Sequence, residues 1–336
     1  MRTVTPTFAR ALARAAGFEL TDDGRLLQGD EIVRRLTLSD GKLLHREYFD
    51  LVDWVDSTHP DRTGLPFAYA RAVDIDNLGA LGLAMKTAPT LRDSLQRAER
   101  YFRLLTDTVA YRLDDRQEPS VFTLHHQSEP HPALELRNEC AMCGFGHVFK
   151  TVVGPELSYE YVSFRHSGTG EVARYETFFG CPVRFGADRN AIAFAEKMLE
   201  LPTRLGDPAV SRFLTEHLEA EIGTLSPEEA AFERSLAEHF SKALSNGIPS
   251  AANVARTVGM SERTLYRRLA EAGLTYQGVL EKTQKSLAEN LLSDEAFSIA
   301  EVAFLTGFSE QSSFTRAFRR WAGVSPGAYR KRSAPS

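Results

Sequence analysis

One helical pattern in the last third of the chain limits what that segment can fold into. Residues 298–321 contain a short apolar stretch, a glycine at position 307 and a second amphipathic stretch. Ser298 is a good N-cap for a first helix, Gly307 ends that helix, and Ser309 can cap a second helix over about 309–321. Two short helices that meet at a tight glycine turn indicate a helix-turn-helix, whose second helix can enter the major groove of DNA.

The same pattern occurs a second time, 48 residues upstream. Ala255, Gly259 and Ser261 repeat the spacing of the corresponding residues in the later unit, so the segment is a tandem duplication. The second helix of the upstream unit is predicted at about 261–272. Between the two units, residues 276–292 are predicted to form one longer helix with apolar residues along one side. This helix would hold the two units at a fixed separation.

The later unit also contains a specific set of residues: Ile299-Ala300-Glu301-Val302-Ala303, Gly307-Phe308-Ser309, Ser313-Phe314, Phe318-Arg319-Arg320-Trp321, Gly323, Ser325-Pro326 and Tyr329-Arg330. With these residues the segment resembles the DNA-binding domain of the AraC family of bacterial transcriptional regulators. The resemblance implies an all-α DNA-binding domain over 228–333, in which a linker helix joins two helix-turn-helix units. It also implies that the outward face of each second helix contacts bases.

The outward residues of the two second helices are the candidates for DNA contact. Arginine can donate two hydrogen bonds to guanine, glutamine can pair with adenine, and serine or threonine can contact either base. A charged run on one helix usually marks a solvated face, but these residues lie on two repeated helices. Arg268 and Arg320 are expected to contact phosphate or solvent. The predicted DNA-binding residues are Arg263, Tyr266, Arg267, Arg268, Gln311, Ser312, Thr315, Arg316 and Arg319.

The charge distribution agrees with this prediction. Residues 227–336 carry 14 Lys and Arg against 12 Asp and Glu, whereas the other 226 residues carry 26 against 33. The last 26 residues have six basic side chains and no acidic one. A small basic surface on an acidic protein is typical of binding to specific DNA sites, and it argues against indiscriminate coating of nucleic acid.

Residues 1–222 combine helical and strand-like patterns. Apolar residues between 32 and 54 are predicted to be helical. Alternation at 109–113 and 121–125 predicts a β-hairpin. Ser226, Pro227 and the acids after them start a helix well, so 223–227 is predicted to be a short linker. The result is an α+β domain with a small sheet, with further helices at 91–105, 133–152, 172–179 and 207–225 and strands at 159–166 and 183–185.

This part also resembles the N-terminal domain of one branch of AraC-type regulators, on Thr87 to Leu91, Tyr175 to Phe185 and Asn190-Ala191. The branch is known as arabinose-binding-like although its ligands vary. The resemblance implies that 1–222 is an effector-binding and dimerisation domain, and the effector stays unknown. A ligand cavity could form between the helix at 91–105 and the strands, with these residues as candidates: Phe102, Tyr111, Tyr159, Tyr161, Phe164, Arg165 and His166.

The three cysteines raise other chemistries. Cys140, Cys143 and His147 fall at i, i+3 and i+7 of a predicted helix, which is typical of a buried face. Sensing by the thiols and metal binding are the alternatives, although a structural zinc site needs four ligands. Cys181 invites comparison with the acceptor cysteine of DNA-repair methyltransferases, but no adjacent His lowers its pKa. We expect no catalytic residue, no metal and no cofactor.

The sequence as a whole predicts a cytoplasmic bacterial transcription factor, and the family resemblance favours an activator. The sequence contains no run of 18 apolar residues, so no membrane span is predicted. An odd number of cysteines suits a reducing compartment. The expected partners are double-stranded promoter DNA, a small-molecule effector, RNA polymerase and a second copy of the chain. The alternatives are a sensor enzyme that uses Cys140, Cys143 or Cys181 beside a DNA-binding domain, and an architectural binder with almost no sequence preference.

Overall fold

Two units make up the chain in the computed structural model, which describes residues 2–39, 41–126, 130–168, 171–225, 227–272, 274–294 and 297–333. The N-terminal unit is Met1–Glu221 and the C-terminal unit is Ile222–Ser336. Of the segment predicted as a linker, 223–225 lie in a helix, and a new helix begins at Pro227. Ser226, the predicted cap, lies outside the described residues, so the linker and the domain bounds stay predictions.

Nine helices of the described residues begin in the N-terminal unit. They are α1 Pro6–Ala15, α2 His45–Thr58, α3 Leu65–Ala72, α4 Gly79–Lys86, α5 Leu91–Tyr101, α6 Leu134–Val153, α7 Val172–Phe179, α8 Glu196–Leu199 and α9 Pro208–Leu225. The strands are β1 Thr3–Val4, β2 Glu19–Leu20, β3 Arg25–Gln28, β4 Glu31–Arg35, β5 Leu38–Ser39, β6 Lys42–Leu44, β7 Val109–Asp114, β8 Ser120–His126, β9 Tyr161–Ser163, β10 Val183–Arg184 and β11 Asn190–Phe194. The predicted α+β class is confirmed.

A five-stranded sheet with the order β10-β9-β11-β8-β7 supports the unit. The predicted hairpin is confirmed as β7 and β8, with Tyr111 opposite Leu124. The central strand β11 is antiparallel to both of its neighbours, and the sequence analysis missed it. All five residues of β11 are buried, so the strand has no polar alternation by which it could be recognised.

The helical prediction for the apolar residues after position 32 is wrong in part. Ile32 and Val33 belong to β4, and Leu43 and Leu44 belong to β6; helix α2 follows from His45. Short apolar runs do not separate helix from strand, and β-branched residues favour the strand. These segments form two further sheets, β2-β3-β4 and β1-β6-β5, where one small sheet was expected.

Helix α6 lies in the core of the N-terminal unit, and 14 of its 20 residues are buried. It packs against α2, α3, α5 and β11. The rings of Phe145 and Phe149 lie 5.3 and 5.6 Å from the ring of Phe122 in β8, measured between centroids. Cys140 and Cys143 are on the buried side, at 3% and 0% exposure. The prediction that they pack in the core is therefore confirmed.

The described secondary-structure elements of the C-terminal unit are all helices, and they include both predicted helix-turn-helix units. Its helices are α10 Pro227–Ala243, α11 Ala251–Thr257, α12 Glu262–Glu271, α13 Tyr276–Leu292, α14 Ile299–Leu305, α15 Gln311–Ala322 and α16 Pro326–Ser333. Ser261 caps α12 by accepting from the amide of Thr264 at 3.1 Å. Ser309 does not cap α15, because the extended residue before that helix is Glu310.

The linker helix α13 contributes to two separate apolar cores. Near its start, Val279 and Leu280 pack with Leu265 of α12 and with residues of α10 and α11. Near its end, Ala288 and Leu292 pack in a second cluster that is filled by Val302, Ala303, Phe314, Phe318 and Trp321. One continuous helix is therefore part of both helix-turn-helix cores, so the two units cannot turn about each other without the loss of apolar burial.

Two contacts fix the second helix-turn-helix further. The side-chain amide of Gln284, which is 2% exposed, donates to the carbonyl of Thr306 at 2.8 Å. The turn residue Gly307 has φ +85°, and a Cβ at this position would lie 2.8 Å from Cδ2 of Leu244 in the first core. Glycine is required here both by the left-handed backbone and by this close approach.

Gly307→Ala should destabilise the C-terminal unit more than the matched change Gly259→Ala. Both residues have positive φ, so alanine costs roughly 1 kcal/mol at either site. At Gly307 the methyl group also presses on buried Leu244, and such overpacking adds about 1–3 kcal/mol. Among the described residues, no atom lies within 4 Å of a Cβ at Gly259. Urea unfolding followed by Trp321 fluorescence in a Trp54→Phe background measures the difference; equal midpoints would contradict the close approach.

Candidate DNA-binding surface and ligand cavity

Each recognition helix, α12 or α15, has a buried face and an exposed polar face. In α12, Leu265 and Leu269 are buried, and in α15, Phe314 and Phe318 are buried. The helical period places the predicted DNA-binding residues on the opposite faces. Thr315 is half-buried. The exposed residues of the set are Arg263, Tyr266, Arg267 and Arg268 in α12 and Gln311, Ser312, Arg316 and Arg319 in α15.

The first turn of α15 has the residue types that read bases in a recognition helix. Gln311 and Ser312 are its first two residues, and both are exposed. The hydroxyl of Ser312 lies 3.2 Å from a carboxylate oxygen of Glu310, and Arg316 Nη2 lies 3.4 Å from the hydroxyl of Ser313. In helix-turn-helix proteins the N-terminal residues of this helix contact base edges. The exposed amide, hydroxyl and guanidinium groups can make such contacts.

Two arginines that the sequence analysis assigned to phosphate or solvent, Arg268 and Arg320, contact other side chains of the protein. The guanidinium of Arg268 lies 5.3 Å from the ring centroid of Phe232, and its side chain stays exposed. Arg320 donates from Nη2 to Glu281 of the linker helix at 3.1 Å. This bond joins α15 to α13, which a helical pattern could not reveal. The Arg320 side chain is still 33% exposed, so its expected contact with phosphate or solvent stays a prediction.

Glu301 and Arg330, two of the residues that carry the family resemblance, support the fold. Ser298 and Glu301 form a reciprocal capping box at α14, with N–H···O distances of 2.7 and 3.2 Å. Arg330 donates to the carbonyls of Leu292 and Phe297 at 3.3 and 2.7 Å, and it therefore holds the end of the linker helix. These residues of the motif therefore have a structural role, and no contact with DNA is needed to explain them.

A cavity of about 60 Å³ lies in the N-terminal unit. Roughly 10–15 Å³ is enough for one water molecule, so this cavity has room for a small ligand. Phe102 and Tyr111 line the cavity, whereas Tyr159 and Phe164 pack in other aromatic clusters. Tyr161, Arg165 and His166 do not line it either. The lining is Val4, Phe8, Tyr48, Tyr69, Val73, Leu78, Phe102, Thr106, Thr108, Val109, Tyr111, Arg137, Ala141, Gly144, Phe145 and Val148.

Arg137 is the charged residue of this lining, and the sequence analysis missed it. Its side chain is 4% exposed, and Nη2 lies 3.0 Å from Nδ1 of His126. Nε and Nη1 have no hydrogen-bond partner among the described residues. Burial lowers the pKa of Arg137, and burial together with Arg137 lowers the pKa of His126 to about 4. His126 is therefore neutral near pH 7.

The cysteines lack the environment of a reactive thiol. Burial raises the pKa of Cys140 and Cys143 well above the usual value, and it raises the pKa of Cys181 to about 11. A nucleophilic cysteine requires the thiolate, which these environments disfavour. In the described ranges, no group of three or more His, Cys, Asp or Glu residues is placed to hold a metal ion. None of the described helices is long and apolar enough to cross a membrane.

Comparison with known proteins identifies both parts of the chain. Residues 22–203 match the family described as "Arabinose-binding domain of AraC transcription regulator, N-term", and residues 254–332 match the family described as "Helix-turn-helix domain". The first match covers more than half of the chain.

Similar proteins include two curated regulators and a solved structure. The HTH-type transcriptional regulator VirS of Mycobacterium tuberculosis is 28% identical over 78% of this chain and 76% of VirS. The ornithine utilization regulator of Pseudomonas aeruginosa is 29% identical over 80% of this chain and 78% of that protein. The crystal structure of transcriptional regulator CdpR from Pseudomonas aeruginosa is 26% identical, with a TM-score of 0.46 over 86% of this chain and 92% of CdpR. The chain belongs to the AraC family of DNA-binding transcriptional regulators.

Proposed function

We propose that the protein inserts α12 and α15 into successive major grooves of a promoter and that a small molecule in the N-terminal unit controls this binding. The observation that carries the proposal is the linker helix, because it joins two exposed recognition faces through two apolar cores. Its 17 residues span about 26 Å at 1.5 Å per residue. With the flanking turns, this length suits grooves that repeat every 34–36 Å or so.

The proposed roles follow from side-chain chemistry. Arg263, Arg267, Arg316 and Arg319 suit guanine, and Gln311 suits adenine. Tyr266, Ser312 and Thr315 supply adaptable contacts. Arg268 contacts phosphate, which positions the protein without specifying sequence. The absence of acidic side chains after Glu310 supports this face as the one that meets DNA.

The regulatory part of the proposal rests on the family and on the cavity. The N-terminal domain over 1–222 binds the effector and pairs with a second copy, and a short linker at 223–227 passes the change to the domain at 228–333. Family membership supports an activator that works with RNA polymerase in the cytoplasm. The buried, high-pKa thiols disfavour the alternative of a sensor enzyme at Cys140, Cys143 or Cys181.

Footprinting of the purified protein on DNA upstream of its own and neighbouring genes tests the proposal. At near-physiological salt we expect one or two protected blocks, each covering two adjacent major grooves on one face of the duplex. Protection at all positions that vanishes with modest added salt would identify purely electrostatic binding. That result would favour the architectural binder and contradict the proposal.

Arg267→Ala and Gln311→Ala should each reduce selectivity at one or two base pairs, because each removes a base-specific donor. The loss of binding free energy should be about 1–3 kcal/mol on the matched site and much smaller on a site mutated at the contacted base pair. Arg268→Ala should weaken binding to all sequences, and it should reduce the slope of log binding constant against log salt concentration by about 1. Binding titrations at several salt concentrations measure these effects, with Arg234→Ala on α10 as the exposed control. Equal losses on matched and mutated sites for all three variants would contradict the roles.

Gln284→Met should loosen the second recognition helix relative to the first. The change leaves the buried Thr306 carbonyl without its donor, which costs about 1–3 kcal/mol of stability. Footprints should lose protection in the groove contacted by α15 before the groove contacted by α12. The control is Gln277→Met on the same helix, since the Gln277 side chain is exposed. Parallel loss in both grooves would show that Gln284 does not set the orientation.

A further inference from the structure

The buried guanidinium of Arg137 lacks an opposite charge in the described part of the chain. Nε and Nη1 have no partner, and the one nitrogen that is bonded meets a neutral imidazole. Arginine stays protonated in proteins, and a buried charge is unfavourable unless it is paired. An anion that entered the cavity would supply a partner of opposite charge and would therefore bind selectively beside Arg137.

Three phenols line the same cavity as this charge. They belong to Tyr48, Tyr69 and Tyr111. Burial raises the pKa of all three, so they stay protonated and can donate. One cation and three O–H donors together form a site for a group rich in acceptor oxygens, such as a carboxylate.

Apart from Thr106 and Thr108, the rest of the wall is apolar, and it favours a ligand with an apolar body. The rings of Phe102 and Phe145 lie 4.8 and 4.6 Å from the ring of Tyr111, measured between centroids. A sugar would bring hydroxyls on all sides, and most of them would meet carbon atoms and lose their hydrogen bonds to water. The volume of about 60 Å³ limits the ligand to a compact molecule.

We propose that this cavity binds a compact carboxylic acid, with its carboxylate on Arg137 and the tyrosine hydroxyls and its apolar body among the aromatic rings. The inference rests on the proposed function, because it names the chemical class of the effector. A single cationic side chain favours a monoanion over a dianionic phosphate.

Calorimetry and thermal denaturation of the full chain test the proposal with benzoate, phenylacetate and 3-methylbutanoate, each beside its neutral amide and beside arabinose. At least one carboxylate should bind saturably and raise Tm. Its amide should bind at least tenfold more weakly, and arabinose should give no shift. Binding of an amide as tight as its carboxylate, or no binding by any of the three acids, would overturn the assignment.

Arg137→Met should abolish carboxylate binding, and Arg137→Lys should retain a part of it because the charge remains. The matched control is Arg46→Met in α2, whose side chain is 85% exposed and should not affect Kd. If Arg137→Met does not fold, Tyr111→Phe replaces it. That variant removes one donor, so it should weaken binding of the carboxylate severalfold and leave binding of the amide unchanged. Wild-type affinity in Arg137→Met, or equal effects on acid and amide in Tyr111→Phe, would refute the role of these groups.

Footprints with and without the bound acid separate this inference from the proposed function. Specific protection without any carboxylate binding would leave the DNA-binding function intact and reject the inference. Carboxylate binding without specific protection, in the presence or absence of the acid, would support the site and reject the proposed function. Carboxylate binding that changes the footprint in wild type but not in Arg137→Met would support both.

Discussion

The arrangement of the C-terminal unit depends on the sharing of one helix between two apolar cores. Helix α13 contributes Val279 and Leu280 to the first core and Ala288 and Leu292 to the second. The hydrophobic effect is not directional, so burial alone would tolerate small rotations. The hydrogen bond from Gln284 and the close approach at Gly307 remove that freedom. The orientation of the recognition helices is therefore set by a few contacts on the linker.

Much of this unit could be predicted from the sequence because its signals are local and occur twice. Capping residues, turn glycines and apolar spacing identified α12 and α13 closely, and the linker helix has the predicted bounds. The roles of the arginines could not be separated in the same way. Arg320 and Arg330 make their bonds to α13 and to the loop after it, and periodicity carries no information about such distant partners.

The N-terminal unit was predictable to a smaller extent. The hairpin β7 and β8 has a clear period, and helix α6 is long enough to be recognised although most of it is buried. In contrast, β11 is buried on both faces, and β4 is too short for its period to be distinctive. The cavity was beyond sequence reasoning for a different reason. Tyr48, Tyr69 and Arg137 lie on three different helices and Tyr111 lies on β7, and only their packing brings them to one cavity.

The buried amide of Gln284 has a consequence for how target promoters can evolve. A protein whose two recognition helices are held in one orientation can accept base changes one at a time, each at a limited cost in affinity. It cannot accept a change in the distance between the two contacted segments, because one inserted base pair also turns the second groove by about 35°. In the proposed complex, substitutions would therefore accumulate among the operators of such a regulator, while insertions and deletions would be eliminated by selection.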